Sequence, residues 1–228
     1  MENKMKEQIR RLVLEQGADV CGFAGISRFS EAPEGFSPLD LFPACRSAVV
    51  FGIALPRGLF RVEPRLIYGH FNAFSCQAAD RVAFQAARLI EREFGGTAVP
   101  LPCDAPYEYW NHEKQEGRGL ISMKHAAVKA GLGALGKNSL LLNPEYGSRL
   151  TVGAVLTSLE LPSDARCGSQ CVEGCSKCVK SCPVGAIQNG RVDQKLCRTY
   201  TYGSTGRGFD TVDCNRCRSV CPRRDGTV

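Results

Sequence analysis

Apolar positions along the first 160 residues follow two periods. Between residues 4 and 16, Met5, Ile9, Leu12 and Val13 recur at helical spacing and stop at Gly17, which predicts a surface helix. The segments Val20 to Ala24 and Ala48 to Leu55 (AVVFGIAL) read as strands, the second apolar enough to be central in a sheet. Phe29 to Pro43, with three prolines, is expected to be a loop. From Ser75 to Phe94 the small and apolar residues Ala79, Val82, Ala83, Ala86, Leu89 and Ile90 predict a closely packed helix ended by Gly95-Gly96. Thr97 to Leu101 and Arg149 to Leu159 read as strands, and Ile121 to Ala130 as a helix. Helices and strands alternate without a regular repeated βαβ unit, which predicts an α+β layer fold for residues 1–160.

The pattern changes near Leu161. From there on, apolar residues thin out to Val179, Val184, Ala186, Ile187 and Val220, too few to close a core without help from metal. The division expected is a lobe over 1–160 and a second unit over 161–228.

Cysteine usage says what that help is. Of thirteen cysteines, nine fall between Cys167 and Cys221. No apolar run is long enough to cross a membrane, and Met1 to Gly17 lacks an apolar leader, so the expected location is the cytoplasm, where disulfides are poorly favoured. The first run is Cys171-x3-Cys175-x2-Cys178-x3-Cys182-Pro183 and the second is Cys197-x16-Cys214-x2-Cys217-x3-Cys221-Pro222. Two runs ending in x2-Cys-x3-Cys-Pro mark a bacterial ferredoxin-like module with two [4Fe-4S] clusters, in which the cysteine before each proline ligates the neighbouring cluster. The expected sets are Cys171, Cys175, Cys178 and Cys221 on one cluster, and Cys197, Cys214, Cys217 and Cys182 on the other. Cys167, four residues before Cys171, is an alternative first ligand. Zinc is the rival, since paired CxxC steps also build structural sites, but it requires neither the two Cys-Pro endings nor the matched spacing. Cys21, Cys45, Cys76 and Cys103 stand singly and are read as packing residues.

Charge fits the same picture. The chain carries a formal +6, and residues 161–228 hold eleven Lys or Arg against six Asp or Glu. Each oxidised cluster with four thiolates carries roughly two negative charges, so the basic excess offsets clusters and nucleic acid is not expected as a partner. Gly131, Gly133, Gly136 and Lys137 match both a GxGxxG and a near GxxxxGK pattern. The segment in front of them, MKHAAVKA, reads as a helix where a nucleotide loop needs a strand.

With these residues assembled, the chain resembles the epoxyqueuosine reductase family and, more distantly, the corrinoid-binding reductive dehalogenases. The shared stretches are AGLGALGKNSLLLNPEYGSRL (Ala130 to Leu150), the cysteine runs after it, and GADVCGFAGI (Gly17 to Ile26). The resemblance implies a nitroreductase-like, corrinoid-binding-type α/β sandwich lobe, cobalamin beside one cluster, and a reductase fed by a ferredoxin- or flavodoxin-like donor. It places Gly131, Gly133, Gly136 and Lys137, with the loop Arg198 to Arg207, next to the corrinoid. The chain departs from the family pattern in two places. Gly117 stands where the family's tRNA-modifying members carry an acidic proton donor, with Glu116 adjacent, and the chain reads as a short form without their helical tRNA-binding extension. A small-molecule substrate is therefore the expectation. Acid–base candidates are Tyr107, Tyr109, Glu116, Lys124 and His125. The competing reading is a ferredoxin-type electron carrier whose lobe only docks or activates a partner.

Overall fold

The computed structural model describes residues 2–62, 66–105, 107–204, 208, 210–212 and 214–227. Its centre is one antiparallel sheet of four strands: β1 (Val20–Gly25), β2 (Ser47–Ala54), β3 (Ala98–Leu101) and β4 (Leu150–Thr157), in the order β1-β2-β4-β3. Phe23 pairs with Val49, Val49 with Val155, and Leu156 with Val99. The two central strands, β2 and β4, are apolar on both faces because each face is covered.

Side-chain alternation divides the core in two. Phe23, Val49, Phe51 and Val155 point to the face covered by helix α1 (Glu2–Glu15) and the long helix α2 (Leu66–Phe94). Ala79, Ala83, Ala86 and Ala87 give α2 a surface of small side chains, so it lies close to the sheet. Phe51 rests on Gly153, where a Cβ would collide with its ring. On the opposite face Ala24, Ala48, Val50, Ala154 and Leu156 meet Ala126, Ala127 and Ala130 at helix α3 (Met123–Lys129). The result is helix, sheet, helix, as the α+β reading expects.

Local differences from the sequence reading have physical causes. Helix α2 starts at Leu66 instead of Ser75, because Leu66, Ile67, Phe71 and Phe74 are exposed and lay down no one-sided apolar stripe to read. Within the expected loop from Phe29 to Pro43, Pro38–Leu41 makes one helical turn, capped by the Ser37 hydroxyl and the Asp40 carboxylate. Within the polar stretch from 102 to 119, Tyr109–Asn111 pairs with Glu116–Arg118 as a two-stranded ribbon.

Beyond Thr157 the chain first returns to the lobe. Leu161 is buried in the α1 side of the core, and Asp164 accepts from Lys6 Nζ (2.6 Å), Arg10 Nη2 (2.9 Å) and the Phe23 amide (3.1 Å). The cysteine-rich remainder holds three short helices, α4 (Lys177–Ser181), α5 (Gln194–Thr201) and α6 (Arg216–Ser219), and two ribbons, Ile187–Gln188 with Arg191–Val192 and Tyr202–Ser204 with Asp210–Val212. Among the described residues after Leu161, only Cys178, Ala186 and Ile187 are buried hydrophobics. The tail is strapped down: Ser148 N–H donates to Arg224 O (3.1 Å), Thr227 N–H to Pro144 O (2.7 Å), and Arg149 Nε pairs with Asp225 (3.2 Å).

Candidate functional site

The cysteine loops are held by turn geometry. Cys175 N–H donates to Val172 O (3.1 Å), which closes a turn in front of α4, and Cys178 sits in the first turn of that helix. Cys182 ends α4 in an extended conformation before Pro183, and its sulfur accepts the Ala186 amide (3.3 Å). In the second run Asp193 caps α5, which carries Cys197, while Cys217 lies in α6 and the Cys221 amide bonds Arg218 O (3.2 Å). Helix α6 packs on α4.

That packing brings the end of the second run to the first. Cys171, Cys175, Cys178 and Cys221 line one cavity, completed by Val172, Leu142 and Pro222. Cys171 is on this wall and Cys167 is not; the Cys167 sulfur accepts from Gln170 Nε2 (3.4 Å). Among the described residues no three His, Cys, Asp or Glu side chains form a group able to share one metal ion. Burial pushes the Cys178 and Cys221 thiols up and Cys217 up to about 11, with Cys197 and Cys214 close enough to add to the Cys217 shift. Protein alone thus disfavours thiolates here, and a multiply charged cationic core would reverse that.

The lobe grips these loops through the residues after the glycines. Lys137 Nζ donates to Cys175 O (2.7 Å), Asn138 Nδ2 to Cys217 O (3.2 Å) and Ser139 Oγ to Gly190 O (3.1 Å). Gly131 comes after α3, not a strand, and has a positive φ of 77°, so it ends the helix as a left-handed turn. A Cβ on Gly131 would strike Ala165 O, and one on Gly133 would strike Leu142 O. The glycines serve close approach of the chain to itself, and the strand-first context of a nucleotide loop is absent.

Beside the second cysteine run lies an aromatic and cationic stack. The Arg198 guanidinium sits 4.8 Å from the Trp110 ring and 5.4 Å from the Tyr107 ring, and Gly117 lies beneath all three. Tyr107 donates to Asp104 (2.9 Å), and burial together with Asp104 pushes its phenol up to about 12. Tyr109 packs on Phe36 and Glu116 pairs with Arg118 (3.1 Å). His125 contacts the Ser122 hydroxyl (2.7 Å) at the start of α3, and its pKa is lowered by burial and by Lys124 and Lys129. Lys124, largely exposed along its length, reaches Ser139 O with its ammonium (2.9 Å). Crowding there and the Arg218 charge lower its pKa, while Cys197 and Cys217 oppose the shift. The structure therefore gathers Tyr107 with Arg198, directs Lys124 toward the second cysteine run, and uses His125 in a helix cap. The sequence reading places Arg198 only at the edge of the corrinoid-bordering loop and does not single out Arg218 or Asn138 as site residues, because what selects them is position against rings and carbonyls contributed from far away in the chain. Of the loop Arg198 to Arg207, residues 205–207 lie outside the described residues.

No family model matches the chain. Curated relatives include proteins named epoxyqueuosine reductase from Bacillus anthracis (33% identical) and Bacillus cereus (28%), each over 92% of this chain and 62% of the relative. One from Staphylococcus aureus is 29% identical over 98% of this chain and 65% of its own length. All three of these relatives are named epoxyqueuosine reductase.

The chain spans about 62% of the length of the first of those epoxyqueuosine reductases. A crystal structure of an epoxyqueuosine reductase with a tRNA-Tyr epoxyqueuosine-modified stem loop shares the fold, with a TM-score of 0.70 at 19% identity, covering 100% of this chain and 67% of that one. A catabolic reductive dehalogenase has a TM-score of 0.73 at 20% identity, covering 96% of this chain and 32% of its own. Another dehalogenase structure, described as suggesting a mechanism for B12-dependent dehalogenation, has a TM-score of 0.65. The epoxyqueuosine reductase fold is thus present across the chain, including the cysteine-rich region. No helix among the described residues is long and apolar enough to cross a membrane.

Proposed function

We propose that the chain is an iron–sulfur oxidoreductase of the epoxyqueuosine reductase type, with a lobe over 1–160 that holds a corrinoid or substrate and a ferredoxin-like module over 161–228. The observation that carries the reading is the cavity in which Cys221, from the second run, joins Cys171, Cys175 and Cys178 from the first. A two-cluster module needs that crossing; two separate zinc sites do not. The donor set fits the group: partly buried sulfurs, a cavity wall of Val172 and Leu142, and a lysine at its edge. Cys197, Cys214, Cys217 and Cys182 would hold the second cluster. When bound, the clusters supply one-electron transfer from a ferredoxin- or flavodoxin-like donor to a corrinoid or directly to substrate.

The chain's own residues set the conditions. Lys137 and Asn138 fix the backbone carbonyls of Cys175 and Cys217, so the lobe and the cysteine loops keep one spacing. Gly131 and Gly133 are packed on Ala165 O and Leu142 O, so of the glycine turn it is Gly136 and Lys137, next to the Cys175 loop, that would border a corrinoid. The Tyr107, Trp110 and Arg198 stack offers flat apolar and cationic surfaces to a planar substrate. A nucleobase has such a ring, and one relative in fold was solved with a tRNA stem loop, so the charge balance gives no ground for excluding nucleic acid. Tyr107, hydrogen-bonded and protonated at neutral pH, Glu116 and Lys124 remain the proton-donor candidates. The carrier reading has less support, because the relatives are named as reductases.

Anaerobically purified protein should contain about eight iron and eight sulfide per chain. Zinc without sulfide overturns the reading. A shift of the cobalamin spectrum on adding protein would support a corrinoid in the lobe, and its absence would leave direct reduction of substrate.

A further inference from the structure

Four cysteines lie outside the two runs, and two behave as buried packing residues. Cys21 and Cys45 are 7% and 2% exposed, and burial, with Asp164 and Glu7 adding to it against Arg10 and Lys6, pushes the Cys21 thiol up to about 12. Cys76 and Cys103 differ. Cys76 lies on α2 beside Ser75, and Cys103 comes after β3, twenty-seven positions later in the chain. Asp80, one helical turn after Cys76 on the same side of α2, accepts the Cys103 backbone amide at 2.7 Å. That bond pins Cys103 to the helix face that carries Cys76. Both are free thiols, and both are only partly covered, so a small reagent can reach them.

The two thiols are also unequal. The Cys76 sulfur donates to Asn72 O (3.5 Å), and the influence of each thiol on the other lowers the pKa of Cys76 and, with burial, raises that of Cys103. Arg218 favours the Cys76 thiolate further, while Asp80 and Asp104 oppose it. A low-pKa thiol next to a high-pKa, proton-donating one is the division between an attacking and a resolving cysteine.

We propose that Cys76 and Cys103 form a redox-active dithiol that closes reversibly to a disulfide by exchange with a low-molecular-weight disulfide. Cys76 thiolate attacks one sulfur of the small disulfide, whose S–S bond breaks, and the released thiolate takes up a proton. Cys103 then gives its proton to solvent and attacks the Cys76 sulfur of the mixed disulfide, expelling the second small thiol. In balance, the dithiol loses two electrons and two protons, and the small disulfide becomes two thiols. An excess of the small thiol runs the step backward. The link ties α2 to the segment that leads through Tyr107 into the Tyr109–Arg118 ribbon, so its closure restrains the root of the arm holding Tyr107 and Trp110.

The test uses the full chain, kept anaerobic and treated with graded ratios of oxidised to reduced glutathione, then quenched in acid, alkylated, digested and mapped by mass spectrometry. A peptide pair joined through Cys76 and Cys103 should accumulate with the oxidised form and vanish with excess reduced glutathione. Cys103→Ser should trap glutathione on Cys76, while Cys76→Ser should take it up at Cys103 about tenfold more slowly. Iron and sulfide measured in the same samples separate this chemistry from loss of clusters. Full alkylation of both thiols at every ratio, or joining of either one to a cysteine of the two runs instead, overturns the proposal; the wild-type map decides even if a variant fails to fold.

Discussion

The sheet and the cysteine-rich region solve the same problem with different means. Around β2 and β4 the chain closes by apolar packing on two faces, with Phe51, Val49, Val155 and Leu156 fully buried. From Lys177 onward the helices are four to eight residues long, and α5 and α6 contain no buried residue. Helices that short do not persist in water by propensity. The difference teaches that fold and function are separable in the first region and inseparable in the second: the residues that shape the cysteine loops are the ones that would carry the redox group.

The strongest way to sharpen that contrast is to remove metal. Chelation with oxidation of the clusters should unfold residues beyond about 165 and leave the sheet standing, seen as new proteolytic cuts confined to the cysteine region. Cys221→Ala should lose iron from the cavity that Cys171, Cys175 and Cys178 line, about four of eight atoms; loss confined to the other cluster would break the crossed assignment. On the other side of the comparison, Phe51→Ala should cost about 3–5 kcal/mol in denaturant unfolding of the lobe while iron per folded chain stays constant. Gly131→Ala forces a left-handed residue against Ala165 O and should cost about 1–3 kcal/mol, read from the same curves. Asp164→Ala strips the partners of Lys6, Arg10 and the Phe23 amide at the junction, for about 1–2 kcal/mol.

The smallest effect is on pH dependence. His125 has a folded-state pKa below its ordinary 6.5, so the unfolded chain binds the proton more readily. Its contribution to stability is complete above that ordinary value and is lost as pH falls through 6.5 toward the folded pKa. Thermal midpoints at pH 7.5 and 5.5 should therefore differ less in His125→Gln than in the wild type.

How much was legible in the sequence depends on the kind of signal each feature leaves. The stripe of Ile9, Leu12 and Val13, the apolar run from Ala48 to Leu55 and the small residues of α2 are periodic, and each corresponds to an element packed against the sheet. The first two turns of α2 left no stripe because Leu66, Ile67 and Phe71 face outward while Tyr68 is buried. In the site, the spacing of Cys175, Cys178 and Cys182 is local and readable. The Arg198 stack on Trp110 and the meeting of Cys76 with Cys103 depend on contacts between distant segments, which leave no spacing to count. Cys76 and Cys103 looked solitary for that reason.

The strap that holds Arg224 against Ser148 and Thr227 against Pro144 has a consequence for biosynthesis. A cavity shared by Cys171 and Cys221 does not exist until both have been made and the strap has drawn the second run onto the lobe. Until the second run is made, the cavity has three of its four thiols and an open side. If the proposed clusters occupy these loops, their loading therefore follows synthesis of the second run.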